Sequence, residues 1–266
     1  MTRLLIIPLF LFFSCSGNTT QTTKSNTANY QIQVEKVKSD TILAGIQNKI
    51  YKAFVQSIIL QNNKPLVELS NKLENLYKNN SQNLILYWQS YLQFYSSIYY
   101  LKNDDKKTAE KEIDKGIDWM ENMNRKNSED YALLAMLQGF GIQFKGMRAM
   151  FIAGDTKKNV KTAIALDSAN LRAYYVYANN DFYTPEKYGG GKEVEKYLLK
   201  ALSLPSQKIK NNYLPSWGKE ESYELLIRFY IRTENYNLAK KYFRQAITKY
   251  PDSYLLNKLA SKLVEK

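Results

Sequence analysis

Residues 222–253 read SYELLIRFYIRTENYNLAKKYFRQAITKYPDS, and this stretch decides the fold. Tyr223, Leu226 and Tyr230 recur at intervals of three and four, the period of one face of an α-helix. Glu234-Asn235-Tyr236 then interrupts the run. Ala239, Phe243 and Ala246 mark a second amphipathic helix, and Pro251 stops it. Two helices joined by so short a turn lie antiparallel. Small Ala239 lets their backbones approach, while Tyr230 and Phe243 fill the space beside the contact. One such pair leaves a face uncovered, so further pairs must stack on it.

Upstream copies supply them. The 9-4-3 spacing of Tyr230, Ala239, Phe243 and Ala246 returns at Tyr100, Ala109, Ile113 and Gly116. Leu60, Leu69, Leu73 and Leu76 carry it again, with a larger residue at the close-contact position. The pattern predicts helix pairs over 42–61 with 64–78, 83–102 with 106–122, and 129–145 with 148–166. Two more follow, 170–183 with 192–203 and 218–233 with 236–249. A last helix over 252–264 carries Leu256, Leu259, Ala260 and Leu263 on one face, as a capping element requires. No segment alternates like a strand. The expectation is an all-α superhelical solenoid of about five antiparallel pairs with a C-terminal capping helix, spanning residues 41–266.

The C-terminal stretch resembles the tetratricopeptide repeat, whose pattern runs W-x2-L-G-x2-Y, then A-x3-F, then P. Tyr223 stands for the Trp and Ile227 for the small Gly. Leu166-Asp167-Ser168-Ala169-Asn170 resembles the family's inter-repeat turn, with Ser168 in place of Pro. The resemblance implies that the first helix of each pair lines a concave binding face. A helical wheel puts Arg172, Tyr175, Asn179, Phe182 and Tyr183 on that face of one first helix. Arg228 and Arg232, four residues apart, fall on it in the next. Such arginines can grip a carboxylate in bidentate fashion, and tyrosines offer flat apolar contact. Glu220, Glu221 and Glu224 on the same helix are the alternative partners of Arg228 and Arg232, and a core role is the alternative for the aromatics.

The N-terminus has a different character. Arg3 precedes ten apolar residues, Leu4 to Phe13, too few to span a bilayer and of the length of an export signal. Leu11-Phe12-Phe13-Ser14-Cys15 resembles the lipobox of bacterial lipoproteins, with Phe12 departing from the usual Leu or Val. The resemblance implies removal of residues 1–14 and a lipid anchor on Cys15, the chain's one cysteine. Residues 15–40 are rich in Ser, Thr, Asn and Gln and too poor in apolar groups to offset the entropy of ordering, so they read as a flexible polar tether. No acidic residue follows Cys15 before Glu35, which favours a periplasm-facing protein over a surface-exposed one. Asp40-Thr41-Ile42 fits both a helix N-cap and the short O-glycosylation pattern of Bacteroidota.

Composition narrows the chemistry. The chain has no histidine, which removes the commonest general base and transition-metal ligand. One cysteine excludes a disulfide or thiolate cluster within the chain. A net charge of +13 suits acidic partners, but the lysines sit among glutamates along helix faces, and nucleic acid is a poor partner for an exported protein. Gly191-Lys192-Glu193 fails as a phosphate loop because residues 186 and 193 are both Glu and no strand precedes it. Gly139, Gly141 and Gly146 lack dinucleotide-fingerprint spacing. No cofactor, metal or catalytic residue is expected. The reading is a non-enzymatic lipoprotein scaffold that binds a protein or peptide segment of the envelope, an acidic one by its arginines. The Tyr183–Gly191 stretch, with Pro215-Ser216-Trp217-Gly218, also resembles the T-component lipoproteins of TRAP solute transporters, which makes a solute-uptake accessory the alternative.

Overall fold

A computed structural model describes residues 42–264 of the chain. Cys15, the export signal, the tether and the Asp40–Thr41 cap lie outside the described residues. Eleven α-helices are present among the described residues: α1 (Ile46–Leu60), α2 (Lys64–Asn79), α3 (Asn83–Lys102), α4 (Lys106–Glu121), α5 (Ser128–Gly141), α6 (Ala149–Leu166), α7 (Leu171–Tyr183), α8 (Val194–Ser203), α9 (Lys219–Arg232), α10 (Tyr236–Lys249) and α11 (Tyr254–Val264). They form an all-α helical-repeat solenoid. Within each pair the helices pack on each other, α1 on α2 through to α9 on α10. The odd-numbered helices also stack in series, α1–α3–α5–α7–α9–α11, which buries the interior that one pair alone leaves open.

Local chemistry sets the boundaries. Asp105 accepts from the Thr108 amide, Asn170 from the Arg172 amide and Asn235 from the Leu238 amide, each satisfying an otherwise orphaned donor at a helix start. Asn127 and Asp130 form a reciprocal capping box on α5. Three connections within pairs share one closure. Gln61, Asp104 and Glu234 adopt positive φ, and the next amides, of Asn62, Asp105 and Asn235, reach back to the carbonyls of Ser57, Tyr100 and Tyr230.

That shared turn corrects the register expected in the first pair. Leu60 is 59% exposed, not packed as Tyr100 and Tyr230 are. The buried positions are Ser57, Leu66 and Leu73, so the 9-4-3 spacing begins three residues earlier, at Ser57. The periodicity was ambiguous because α1 ends in Ile58-Ile59-Leu60, three apolar residues that all face water. A second difference lies at α5, which stops at Gly141 and gives way to two 3-10 turns, Ile142–Phe144 and Gly146–Arg148. Gly146 takes positive φ there.

A strap over residues 204–218 joins α8 to α9 and runs back over the N-terminal ends of the odd-numbered helices. Tyr213 accepts from the Trp88 indole through its carbonyl, and the Trp217 indole donates to the Tyr87 hydroxyl. Gln47 of α1 accepts from the Ser216 and Trp217 amides, and the Gly45 amide donates to the Asn212 carbonyl. Long unstructured loops are uncommon in compact domains. This one ties the fourth pair to the first.

Candidate functional site

A concavity lies between the C-terminal end of α7, the loop 184–191, α9 and α11. It has a volume of about 550 Å³. Phe182, Tyr183, Arg228, Ile231, Arg232 and Lys262 line it together with the loop. Arg228 and Arg232 sit one turn apart on α9 and face it together. The Arg232 guanidinium lies 3.7 Å from the centre of the Phe182 ring and donates to the Phe182 carbonyl at 2.7 Å. Arg228 lies over the rings of Phe182 and Tyr183, at 5.5 and 5.7 Å, and donates to the Tyr183 hydroxyl at 2.9 Å. Lys262 reaches the same space from the capping helix.

Three cations, Arg228, Arg232 and Lys262, line the cavity against one carboxylate, Glu186. Arg228 has one carboxylate partner, Glu224, at 3.4 Å. Burial raises the Glu224 pKa against the opposing pull of Arg228. Desolvation alone would lower the Arg228 pKa, but Glu224 and Tyr183 outweigh it and hold the guanidinium charged. Among the described residues no carboxylate lies within ion-pair distance of Arg232 or Lys262. The arrangement is two guanidinium groups set against the rings of Phe182 and Tyr183, and guanidinium groups suit planar carboxylates.

The three glycines shape the wall of this site. Gly189 and Gly191 have φ of +86° and +85°, where a side chain is strained. At Gly190 a Cβ would stand 2.0 Å from the Thr184 carbonyl oxygen. The loop is anchored through Asp181, whose carbonyl accepts from the Gly191 amide and whose carboxylate accepts from the Glu193 amide. The loop is therefore an ordered turn. Tyr188 lies on its outer side, 64% exposed, and does not line the cavity.

The structure thus brings together Phe182, Tyr183, Arg228 and Arg232 and leaves out three residues expected beside them. Arg172 is buried, not on a groove. Its guanidinium grips Glu129 of α5 with two hydrogen bonds and donates to the carbonyls of Ser206 and Trp217 in the strap. It sits in the first turn of α7, under the strap, where it links α5, α7 and the 204–218 segment. Tyr175 packs edge-on against Trp217, 6.1 Å between ring centres, and burial raises its phenol pKa well above 10. Asn179 is half-buried and does not border the cavity. Lys262, Ile231 and Leu259 were missed. A capping stripe reveals which residues of α11 are buried, but not that its polar edge folds back toward α7.

No helix among the described residues is long and apolar enough to cross a membrane. No known family model matches the chain, and neither does any curated protein. The structure is similar to the HusA haemophore from Porphyromonas gingivalis, with a TM-score of 0.49 and 16% identity. The match covers 83% of this chain and 96% of that one.

Proposed function

We propose that this protein is a non-enzymatic binding scaffold of the cell envelope, lipid-anchored through Cys15 on the periplasmic side, that captures a carboxylate-bearing segment of another protein. The observation that carries this reading is the convergence of Arg228 and Arg232 on the rings of Phe182 and Tyr183, with Lys262 lining the same cavity. The exposed Tyr183 ring offers an incoming chain apolar area at little entropic cost, and the guanidinium groups select its negative charge. The lipobox-like Leu11–Cys15 and the polar tether support the placement at a membrane.

A small carboxylated solute, as a TRAP T-component accessory would handle, is the second reading. A cavity of about 550 Å³ is large enough for one. The exposed Tyr183 beside Arg228 and the exposed Tyr188 leave room for an extended chain and favour the polypeptide. Photo-crosslinking through a residue placed at Ile231, in intact envelopes, separates the two. A discrete protein adduct that disappears in Arg228→Glu/Arg232→Glu supports the scaffold. No protein adduct, with a carboxylated metabolite co-purifying instead, supports the solute.

A further inference from the structure

Away from this site, the connection between α5 and α6 carries an exposed knob. Met147, Met150 and Phe151 are 98%, 72% and 78% exposed. The knob stands on a fixed base: Lys145 is held by Glu110 at 2.8 Å and Asp114 at 2.6 Å, and Phe144 packs on Phe140 with ring centres 6.1 Å apart. Three large apolar side chains presented together to water mark an interaction surface.

The rest of α6 states its chemistry. Met150, Lys157 and Lys161 follow at i, i+7 and i+11, and Phe151 and Lys158 at i and i+7, so all five share one helix face. Lys157, Lys158 and Lys161 ring a shallow depression floored by Gly154 and Ala165. The opposite face, with Thr156, Val160 and Ala163, is buried. Arg148 adds a fourth cation beside the knob, and Asp155 is the one carboxylate on α6. Apolar side chains thus lead a lysine-lined surface by about 10 Å along the helix.

We propose that this face docks on an anionic phospholipid surface, with Met147, Met150 and Phe151 entering the headgroup–acyl boundary and Lys157, Lys158 and Lys161 lying over lipid phosphates. Interfacial helices combine these two contributions, and a mixed apolar and cationic face gains from both. Such contact would orient the solenoid on the membrane independently of any covalent anchor. It leaves the cavity between α7 and α11 free.

The test uses the full chain in a Cys15→Ala background, where Phe151→Cys becomes the one thiol for an environment-sensitive fluorophore. Vesicles of phosphatidylcholine with one-third phosphatidylglycerol should shift its emission to the blue, and vesicles of phosphatidylcholine alone should not. Reversing Lys157, Lys158 and Lys161 to Glu should weaken partitioning by about a hundredfold or more, given that each cation near such a surface is worth about fivefold. Met147→Ser/Met150→Ser should weaken it as well, with helicity unchanged by circular dichroism. The same fluorophore on exposed Gln245→Cys of α10 should stay silent. A silent probe at 151 overturns the proposal. So does an equal response to uncharged vesicles or at position 245.

Discussion

Replacing Arg172 by Ala should destabilise the fold and leave the binding cavity chemically intact. The guanidinium is nearly inaccessible, and the carboxylate of Glu129 that it holds is 16% exposed. Removing one member of a buried ion pair strands the other, at a cost of about 3–5 kcal/mol. The same change removes the donors to the Ser206 and Trp217 carbonyls, which fix the strap across α7. For a domain of this size each kcal/mol moves the midpoint by about 2–4 °C, so Arg172→Ala should lower Tm by about 6–20 °C. Thermal unfolding followed by circular dichroism measures it. Glu129→Ala should be comparably harmful, and the double variant should lose much less than the sum, because neither charge is then stranded. A Tm for Arg172→Ala within 2 °C of wild type (about 1 kcal/mol or less) would refute the reasoning.

Three other outcomes follow from particular groups. Ala239 is fully buried where α9 meets α10, so Ala239→Trp should overpack by about 1–3 kcal/mol or more, read from urea unfolding; an unchanged midpoint contradicts the contact. Burial raises the Asp130 carboxyl from 3.8 to about 7 despite the bond it accepts from the Asn127 amide. The folded state therefore binds its proton more tightly than the unfolded chain does, and stability falls as pH rises from the ordinary carboxylate range through 7. Asp130→Asn should flatten the decline of Tm between pH 5 and 8, leaving the slope due to Glu112, Glu221 and Glu224, whose pKa values desolvation also raises; equal slopes would discard the assignment. Labelling cells with a fatty-acid analogue should mark the wild type and spare Cys15→Ala, and an unlabelled wild type would remove the anchor from the account.

The helical spacing of apolar residues made the architecture legible because the solenoid buries the same face of every pair. Helices over 64–79, 83–102, 106–121 and 236–249 match the expected bounds within a residue at each end. The register failed where the signal is degenerate, at Ile58-Ile59-Leu60, because apolar character alone does not say which side faces the core. Four of the seven expected groove residues meet, since they lie on adjacent first helices and a wheel projection captures that. Arg172 was misplaced by the same projection. A wheel shows direction and not cover, and the strap that buries the first turn of α7 comes from 32 to 46 residues later in the chain. Lys262 was invisible for the corresponding reason, because its place depends on how the capping helix packs rather than on its own pattern.

The binding claim is tested most directly by titrating the protein with a fluorescent acidic hexapeptide bearing a free C-terminal carboxylate. Binding to wild type should weaken as salt rises from 50 to 300 mM, since the attraction between exposed charges is screened over about 10 Å at 0.1 M. Arg228→Glu/Arg232→Glu should bind at least a hundredfold more weakly while keeping its helicity, the equivalent of about 2.7 kcal/mol and the low end for truncating engaged charge contacts. Equal affinity in the two proteins would contradict the account, because Arg228 would then serve only to balance Glu224 on its own helix.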